Sequence, residues 1–182
     1  MKVGREASIR PATVADAVGI AKVHVDTWRT TYKGIVPDEH LASLSQEKRT
    51  KFWSEFIGAM PPRAHVFVAM DTVGNVVGFS NGGSSRSTEY DYDGEVQAIY
   101  LMKEHQGTGT GCRLLQASIN RLMDDGFKRM LVWVLADNPA CRFYERMGGK
   151  VIGEKMESIG GKTLKELAYG WEALPPAMAP LV

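Results

Sequence analysis

Hydrophobic residues recur every three or four positions in several parts of the chain, as they do on the buried face of a helix. The first such pattern follows Thr13–Asp16, an acidic form of the helix-capping box, and continues to about Tyr32. Another begins at Asn138-Pro139 and ends at Gly148-Gly149, because glycine commonly terminates helices. Helices are therefore expected at about 13–32, 41–44, 52–57, 114–126 and 139–147.

Runs of alternating or continuous apolar residues lie between these helices and predict strands. The segment from Leu131 to Leu135 is entirely apolar, which is typical of a strand buried on both faces. Asp71–Asn75 and Gly160-Gly161 separate pairs of such runs and have the composition of hairpin turns. Strands are expected at 8–10, 66–69, 76–79, 95–101, 131–135, 151–159 and 163–171. This order predicts an α/β fold with a mixed, mainly antiparallel central sheet flanked by helices.

A glycine-rich turn, Gln106-Gly107-Thr108-Gly109-Thr110-Gly111, lies between a predicted strand and a predicted helix. Glycines permit a tight turn with exposed N–H groups, and the helix adds unpaired donors and its positive dipole end, so this turn suits a phosphate. A dinucleotide fingerprint would need glycine at Cys112, and a Walker-type loop would need lysine and a hydroxyl at Cys112 and Arg113. The remaining alternative is an ordinary turn without a ligand.

The spacing of Gln106, Gly109 and Gly111 resembles the pyrophosphate-binding signature Gln/Arg-x-x-Gly-x-Gly/Ala of the GNAT superfamily of acetyl-CoA-dependent acetyltransferases. The strand that ends at Leu101, this loop, and the segment from Trp133 through Pro139 to Tyr144 follow one another in the family's order. The resemblance extends over about 8–171 and implies the GNAT fold with acetyl-CoA as cosubstrate. By the same resemblance, the cofactor-binding residues are Ile99, Tyr100, Leu101, Gln106, Gly107, Thr108, Gly109, Thr110, Gly111, Asn138 and Tyr144.

Acetyl transfer from a thioester to an amine requires that the amine lose a proton and that the departing thiolate gain one. The resemblance implies that Tyr144 is the acid and that Glu95, which begins the strand lining the acetyl group, is the base and acts through water. It also implies that N–H groups at 99–101 stabilise the oxyanion. The alternatives are that Tyr144 only packs in the core and that Glu95 is a solvated residue at a strand end.

The chain departs from the family pattern in the segment around Tyr144 and in the loop. One residue fewer than usual separates Asn138 from Tyr144, and Gly149 replaces a frequent phenylalanine. A missing residue rotates the rest of a helix by about 100° unless the helix start also moves, so the orientation of Tyr144 depends on where its helix begins. Thr108 stands where many relatives have arginine. The candidates for replacing that charge are Lys103, Arg113 and Arg142.

The acceptor side is expected at the end of the first helix, where related enzymes build the substrate wall, and in the acidic, aromatic loop at 87–93. Carboxylates and aromatic rings suit a cation, so we expect a small amine there. A solvated loop is the alternative. The residues expected to hold the amine are Trp28, Tyr32, Glu89, Tyr90, Asp91 and Asp93.

The composition of the chain bears on its domain organisation, its partners and its location. The 182 residues fit one domain, 1–182, with a core at about 8–171 and an extended, mobile tail at 172–182. The net charge of +1 gives no support for nucleic-acid binding, and the absence of a signal region or a long apolar run predicts a cytoplasmic protein without a membrane span. Cys112 and Cys141 are expected to be free thiols. The four histidines fall in no triad or metal pattern, so each is expected at the surface or at a helix cap, and no metal is expected.

These observations predict an N-acetyltransferase that moves an acetyl group from acetyl-CoA directly to a primary amine of a small molecule or peptide, without a covalent enzyme intermediate. Two alternatives remain open: a catalytically weak acetyl-CoA-binding sensor or interaction domain, and an O-acetyltransferase. A homodimer is the default expectation for the oligomeric state.

Overall fold

The computed structural model describes residues 7–176, which form one seven-stranded sheet with helices packed against it. The helices are α1 (Ala17–Thr31), α2 (Asp38–Ser43), α3 (Gln46–Gly58), α4 (Thr110–Asp124) and α5 (Cys141–Arg146). The strands are β1 (Ser8–Pro11), β2 (His65–Met70), β3 (Val76–Ser84), β4 (Gly94–Leu101), β5 (Met130–Leu135), β6 (Lys150–Ile159) and β7 (Lys162–Trp171). Within this part of the chain, no helix combines the length and the apolar character needed to cross a membrane.

The strand order is β1-β2-β3-β4-β5-β7-β6, and every neighbouring pair is antiparallel except β4 and β5. This confirms the predicted mixed, mainly antiparallel sheet. The parallel strands β4 and β5 are paired only through Gly94–Met130 and Glu95–Leu131, and then they separate. Because β3 stays with β4 and β7 stays with β5 to the ends of both strands, an opening lies between the two central strands.

Consecutive side chains of β3 face two different layers of helices. The ring of Phe79 lies 5.0 Å from that of Trp53 in α3 and 5.9 Å from that of His24 in α1. The next residue, Ser80, shares a 2.9 Å hydrogen bond with the hydroxyl of Ser118 in α4. The helices α1 and α3 therefore cover one face of the sheet, and α4 covers the other.

The capping box predicted at Thr13–Asp16 is present, and α1 begins directly after it. The carboxylate of Asp16 accepts the backbone N–H of Thr13 at 2.8 Å and the two terminal guanidinium nitrogens of Arg10 at 2.7 and 2.8 Å. The hydrogen bond from Arg10 lowers the pKa of Asp16 to about 2. Because Arg10 belongs to β1, this interaction joins the edge of the sheet to the start of α1.

Several element ends differ from those predicted. The helices α2, α3 and α4 begin at Asp38, Gln46 and Thr110 instead of at about 41, 52 and 114. The helix α5 begins at Cys141, two residues later than expected, because Asn138 and Pro139 form a turn that is closed by a 3.0 Å bond from Cys141 N–H to the Asn138 carbonyl. In the predicted mobile tail at 172–182, Leu174 is buried and its N–H donates to the Lys128 carbonyl at 3.1 Å. The packed structure therefore extends past the expected end of the core, and the rest of the predicted tail, 177–182, lies outside the described residues.

Two of the histidines are buried, so the expectation that all four lie at the surface or at caps was wrong. His24 is 8% exposed, and its Nδ1 accepts a 3.3 Å hydrogen bond from Trp53 Nε1. His65 is 3% exposed, and neither of its ring nitrogens has a partner among the described residues. Burial lowers the pKa of His24 to about 3 and that of His65 to about 4, so both rings are neutral at neutral pH.

Candidate active site

The glycine loop connects the end of β4 to α4, as the sequence predicts. Gly107 and Gly109 have φ angles of +71° and +81°, in the left-handed region that favours glycine. The side chain of Gln106 donates to the Leu101 carbonyl at 3.0 Å, and the Thr108 hydroxyl donates at 2.6 Å to the carbonyl three residues before it. These bonds hold the turn from within, while no described residue beyond the chain neighbours has an atom within 4 Å of the position that a Cβ would occupy at either glycine.

Consecutive backbone N–H groups at the loop donate no hydrogen bond to any residue between 7 and 176. They belong to Gly107, Thr108, Gly109, Thr110, Gly111 and Cys112. The next amide, that of Arg113, donates to the Gly109 carbonyl at 3.2 Å. Since α4 is 15 residues long, its dipole adds partial positive charge at this end. Unpaired amides and a positive helix end together form a site suited to a pyrophosphate.

Two of the cations proposed to replace an arginine at Thr108 are exposed near the loop. Lys103 precedes Gln106 by three residues and is exposed. Arg142 is exposed on α5, and α5 lies beside the loop because a Cβ built on Gly111 would be 3.7 Å from the Phe143 ring. Both cations therefore stay candidates for contact with a phosphate at the loop.

The opening between β4 and β5 exposes backbone groups of β4. The N–H of Met102 donates to the Val77 carbonyl of β3 at 2.9 Å, and hydrogen-bonding direction alternates along an antiparallel pair. Ile99 and Leu101 therefore direct their N–H and C=O groups towards β5, in agreement with the bond from the Gln106 side chain to the Leu101 carbonyl. By the same alternation, the N–H of Tyr100 faces β3. Of the three cofactor residues predicted in this strand, two present their amides to the opening.

Asn138 lies in the turn that follows β5. Its Oδ1 accepts the N–H of Ala140 at 2.9 Å, which fixes the orientation of the side-chain amide. Its Nδ2 then donates to the phenol oxygen of Tyr32 at 3.2 Å. Tyr32 directly follows α1, which packs on β3 and β4, so this bond joins the two sides of the opening.

Three phenols, those of Tyr32, Tyr100 and Tyr144, meet beside this bond. Burial raises the pKa of all three, and the proximity of Tyr100 and Tyr144 raises that of Tyr32 further. The ring of Trp28 lies 4.7 Å from that of Tyr32. The Tyr144 hydroxyl has no hydrogen-bond partner within 7–176 and, because of its raised pKa, holds its proton at neutral pH. The later start of α5 brings Tyr144 here despite its short spacing from Asn138.

Glu95 is fully buried and ion-paired, which excludes the alternative of a solvated glutamate at a strand end. The Nη2 of Arg86 donates to Glu95 Oε1 at 2.5 Å, and the backbone N–H of Arg86 donates to Oε2 at 2.8 Å. The Arg86 side chain is itself 64% exposed, so its guanidinium separates the carboxylate from solvent. To take a proton from a water molecule, Glu95 would have to give up part of this bonding.

Of the predicted acceptor residues, Trp28 and Tyr32 lie beside the opening, and Tyr90 packs against β5. The rings of Trp28 and Tyr32 are in the phenol cluster described above. The ring of Tyr90 lies 5.9 Å from that of Trp133, which is in the part of β5 that is not paired with β4. Tyr90 also packs on Gly153 of β6, where a Cβ would meet its hydroxyl.

The acidic residues of the predicted acceptor loop lie elsewhere. Glu89 is exposed, and the carboxylate of Asp91 pairs with Arg129 at 2.5 Å and is 97% exposed. The carboxylate of Asp93 accepts the backbone N–H groups of Lys128 and Arg129 at 3.0 and 2.8 Å. This loop precedes Gly94 at the start of β4, about 20 Å along the strand from Tyr100. The structure therefore does not bring Asp91 together with Trp28 and Tyr32.

Two charged residues near the phenols were not singled out from the sequence. Burial dominates the raised pKa of Tyr100, and hydrogen bonds from the side chains of Trp28 and Tyr32 oppose it. The charge of Arg49 in α3 also lowers this pKa, and that of Glu166 in β7 raises it. Glu166 pairs with Lys155 at 3.3 Å. Nothing in the local sequence marks these residues, because only the fold places α3 and β7 beside β4.

The cysteines are free and partly buried, as predicted. The thiol of Cys141 donates to the Leu135 carbonyl at 3.5 Å. Burial raises the pKa of both Cys112 and Cys141, so neither is a ready nucleophile. Across residues 7–176, the His, Cys, Asp and Glu side chains form no group of three or more that could hold a metal ion.

Comparison with known proteins agrees with the motif and the fold. The model of the acetyltransferase (GNAT) family matches residues 23–149. The uncharacterized N-acetyltransferase YuaI of Bacillus subtilis is 40% identical over 167 residues, which are 92% of this chain and 94% of the relative. The L-methionine sulfoximine/L-methionine sulfone acetyltransferase of Pseudomonas paraeruginosa is 30% identical over 157 residues, 86% of this chain and 87% of the relative.

A solved structure gives the same picture of the fold. The crystal structure of a GNAT superfamily phosphinothricin acetyltransferase from Sinorhizobium meliloti, in complex with AcCoA, superposes with a TM-score of 0.67 at 22% identity. The superposition covers 97% of this chain and 94% of that chain. The likeness extends over nearly the whole of both chains, so the two share one architecture.

Proposed function

We propose that this chain, which belongs to the acetyltransferase (GNAT) family and is an acyltransferase, moves an acetyl group from acetyl-CoA directly to a primary amine. The acceptor is a small molecule or a peptide, and both substrates are bound at the same time. The names of the methionine sulfoximine/methionine sulfone and phosphinothricin acetyltransferases among the similar proteins support a small acceptor.

One observation carries the proposal: the separation of β4 from β5 lies beside the unpaired amides of 107–112. An extended chain with a diphosphate at one end and a thioester at the other fits that arrangement. The diphosphate would accept the N–H groups of the loop, and the extended part would lie between the strands. Its amides would bond to the open backbone edge at Ile99 and Leu101 and to the side chain of Asn138.

The reaction then needs few groups from the protein. The amine nitrogen attacks the thioester carbon, the carbonyl oxygen becomes negative, and the N–H groups at Ile99 and Leu101 are the nearest fixed donors for it. Collapse breaks the C–S bond, forms the amide and releases the thiolate of CoA. Tyr144, which is protonated and has no other hydrogen-bond partner among residues 7–176, donates a hydrogen bond and then a proton to that sulfur.

The amine must lose a proton before or during attack, and Glu95 is the proposed acceptor through water. Its pairing with Arg86 fixes the carboxylate in position. Binding of the acceptor has to loosen part of this pairing, so the side chain of Arg86, which is mostly exposed and therefore free to move, is the element expected to shift.

Direct transfer is favoured over an acetylated enzyme. Cys112 and Cys141 are the only thiols in the sequence, and burial raises the pKa of both. A thiol with a raised pKa is a poor nucleophile at neutral pH. The acetyl group would therefore pass from sulfur to the acceptor in a single enzyme complex.

One observation favours a second candidate, a weakly active acetyl-CoA-binding sensor. The only proposed base, Glu95, is enclosed by Arg86 and is not exposed. If no acceptor displaces Arg86, the chain would bind the cofactor without turnover.

The test is thiol release from acetyl-CoA across a panel of primary amines, peptides and alcohols, with mass spectrometry of the product and calorimetry for the cofactor. N-acetylated product without acetylated enzyme is the expected result. Cofactor binding without release from any acceptor would establish the sensor instead. Release with alcohols alone would establish an O-acetyltransferase. Absence of cofactor binding at millimolar concentration would overturn every version.

A further inference from the structure

A β-bulge lies in β4 where that strand leaves β5. In the β3–β4 pairing, Asn81 is opposite Ala98 and the next residue of β3 is opposite Val96, which leaves Gln97 without a residue opposite it. The last pair that β4 forms with β5 is the one at Glu95, two residues earlier. Bulges turn a side chain out of the regular alternation and are common beside active sites. Gln97 is therefore the bulged residue at the start of the opening.

The carboxylate of Glu95, the amide of Asn81 and the phenol of Tyr100 belong to one face of the sheet. Residues that lie opposite each other in an antiparallel pair share a face, and every second residue of a strand returns to it. Alternate residues of β3 form the pairs Gly83–Glu95, Asn81–Ala98 and Phe79–Tyr100. Asn81 therefore lies between Glu95 and Tyr100 on this face. Its Nδ2 donates to Oε1 of Gln97 at 2.9 Å, which brings the bulged side chain to the same face.

The Asn81–Gln97 amide pair has hydrogen-bonding groups that no residue in 7–176 satisfies. Asn81 is 6% exposed, and its buried Oδ1 accepts no hydrogen bond within that range. Nε2 of Gln97 donates none there either. Buried polar atoms without a partner are uncommon in folded proteins, and an ordered water is one explanation of them. The amide pair therefore offers one acceptor and one donor to a small group that can both donate and accept.

The carboxylate of Glu95 is too far along β4 to meet the reacting amine directly. The proposed oxyanion donors begin at Ile99, four residues further on, and a strand rises about 3.3 Å per residue, so the two positions are about 13 Å apart. A glutamate side chain cannot cover that distance. The Asn81–Gln97 amide pair lies in the interval between them.

We infer that Asn81 and Gln97 are positioning residues that hold the water molecule through which Glu95 takes the proton of the amine. The inference rests on the proposed acetyl transfer. The water donates one O–H to Asn81 Oδ1 and the other to the Glu95 carboxylate, and its oxygen accepts from Gln97 Nε2 and from the amine. As the amine attacks the thioester, its proton passes to this oxygen, and the proton that faces Glu95 passes to the carboxylate. The amine loses one proton, Glu95 gains one, and the water is restored.

Amide side chains suit this task because they hold water without exchanging protons. An amide has no titrating group near neutral pH, so the pair does not compete with Glu95 for the proton of the amine. The guanidinium of Arg86 separates the same carboxylate from solvent. The shift of Arg86 that is expected when the acceptor binds would therefore let a water molecule reach both Glu95 and the amide pair.

The experiment measures kcat and KM across a range of pH for an amine that the unaltered enzyme acetylates. Asn81→Leu keeps the approximate shape of the side chain and removes the acceptor, and Gln97→Met keeps the length and removes the donor. Each should lower kcat about fivefold or more at neutral pH, with KM for the amine changed by less than about twofold. The loss should shrink as the pH approaches the pKa of the amine, because an amine that has already lost its proton needs no relay.

Ser80→Ala is the matched control. Ser80 is adjacent to Asn81 in β3, fully buried and bonded to Ser118 at 2.9 Å, but it faces α4, so this variant should keep its kcat. A double-mutant cycle gives a second readout. In a Glu95→Gln background, Asn81→Leu should change kcat by less than about twofold, because a relay without its proton acceptor has nothing further to lose.

The outcomes separate this inference from the proposed function. If the loss in Asn81→Leu is the same at every pH, or equally large in the Glu95→Gln background, the amide pair is only structural and N-acetyl transfer stands. An unchanged kcat in both variants also overturns the inference. If the unaltered enzyme acetylates no amine although it binds acetyl-CoA, the proposed function is wrong and the inference with it. Thermal melting identifies variants that do not fold, and Gln97→Met, at a half-buried position, is the test if Asn81→Leu is one of them.

Discussion

The side-chain amide of Asn138 donates a hydrogen bond to the phenol oxygen of Tyr32 at 3.2 Å, although 106 positions separate the two residues. Asn138 is held by its own bond to Ala140 N–H, and Tyr32 is buried at the end of α1. The contact joins the end of α1, where the acceptor is proposed to bind, to the turn after β5, where Asn138 is proposed to bind the cofactor. The two proposed substrate sites therefore share one hydrogen bond.

Tyr32→Phe should weaken acetyl-CoA binding up to about fivefold and lower the free energy of unfolding by about 1 kcal/mol, because Asn138 loses one acceptor. Calorimetry and urea unfolding measure the two effects. Tyr92→Phe is a matched control, since the phenol of Tyr92 donates at 2.7 Å to Glu172. This bond lies near the start of β4, away from the opening. Equal cofactor affinity in both variants would show that the bond does not position Asn138 for the cofactor.

Tyr144→Phe should lower kcat at least tenfold with little change in the dissociation constant for acetyl-CoA. A loss of about 1.4 kcal/mol of transition-state stabilisation corresponds to that factor. The control is Tyr169→Phe, because Tyr169 is also buried but donates to Glu145 at 3.0 Å. Steady-state kinetics by thiol release give the comparison. An unchanged kcat in Tyr144→Phe would remove this phenol from the mechanism.

Gly109→Ala should reduce acetyl-CoA affinity, since a Cβ at a φ of +81° strains the turn that orients the free amides. Gly74→Ala is matched in backbone conformation, with a φ of +91° and an equally open Cβ position, but it lies in the β2–β3 turn. Both variants should lose about 1 kcal/mol of stability from backbone strain. Only the first should lose cofactor affinity in calorimetry, and equal affinity in both would place the diphosphate elsewhere.

The stability of the protein should fall as the pH is lowered from about 6.5 to about 4, because His24 and His65 are buried in the neutral form. Their pKa values are lowered in the folded state to about 3 and about 4, so in this range the unfolded chain binds protons that the folded chain does not. Each ring contributes a slope of up to about 1.4 kcal/mol per pH unit.

Urea unfolding at several pH values tests this dependence. His24→Phe keeps an aromatic ring among Trp53 and Phe79 and removes one titrating group, so its slope should be shallower than that of the unaltered protein. His105→Gln, a change outside the core, should leave the slope as it was. A His24→Phe slope equal to that of the unaltered protein would mean that His24 is already protonated when folded.

Glu95→Gln should lower kcat/KM for the amine at least tenfold at neutral pH and leave acetyl-CoA binding within a factor of about two, if the carboxylate removes the proton. The glutamine keeps an oxygen for the backbone N–H of Arg86 but loses the ion pair. The readout specific to a base is the pH profile, because activity of the variant should recover as the amine deprotonates at higher pH. A uniform loss at every pH would indicate a structural role only.

Local signals in the sequence were sufficient to predict the strands and helices and the glycine loop. The order of the strands and helices, the capping box at Thr13–Asp16 and the turn at Gly160-Gly161 depend on neighbouring residues alone, and the structure confirms them. The starts of α2, α3 and α4 were predicted three to six residues too late. The Gln106–Gly111 spacing predicted the family, and the family comparison confirms it. The roles of Tyr144 and Glu95 stay predictions.

Side-chain contacts and burial could not be predicted from the local sequence. Nothing in the local sequence indicates that His24 is buried. Nor does it indicate that Glu95 pairs with Arg86 or that Asp91 pairs with Arg129. The acidic loop therefore suggested a cationic acceptor, whereas the carboxylates of Asp91 and Asp93 bind other partners. The charge beside Tyr100 comes from α3 and β7, more than 100 positions apart.

The sequence by itself determined the strands, the helices and the glycine turn, because periodicity, capping and φ preferences act within a few residues. The tertiary structure decided where β4 leaves β5, which amides stay unpaired, and which charges surround Tyr100. Those features depend on Coulomb and packing interactions between segments that meet only after folding, and such interactions leave no mark in the local pattern of residues.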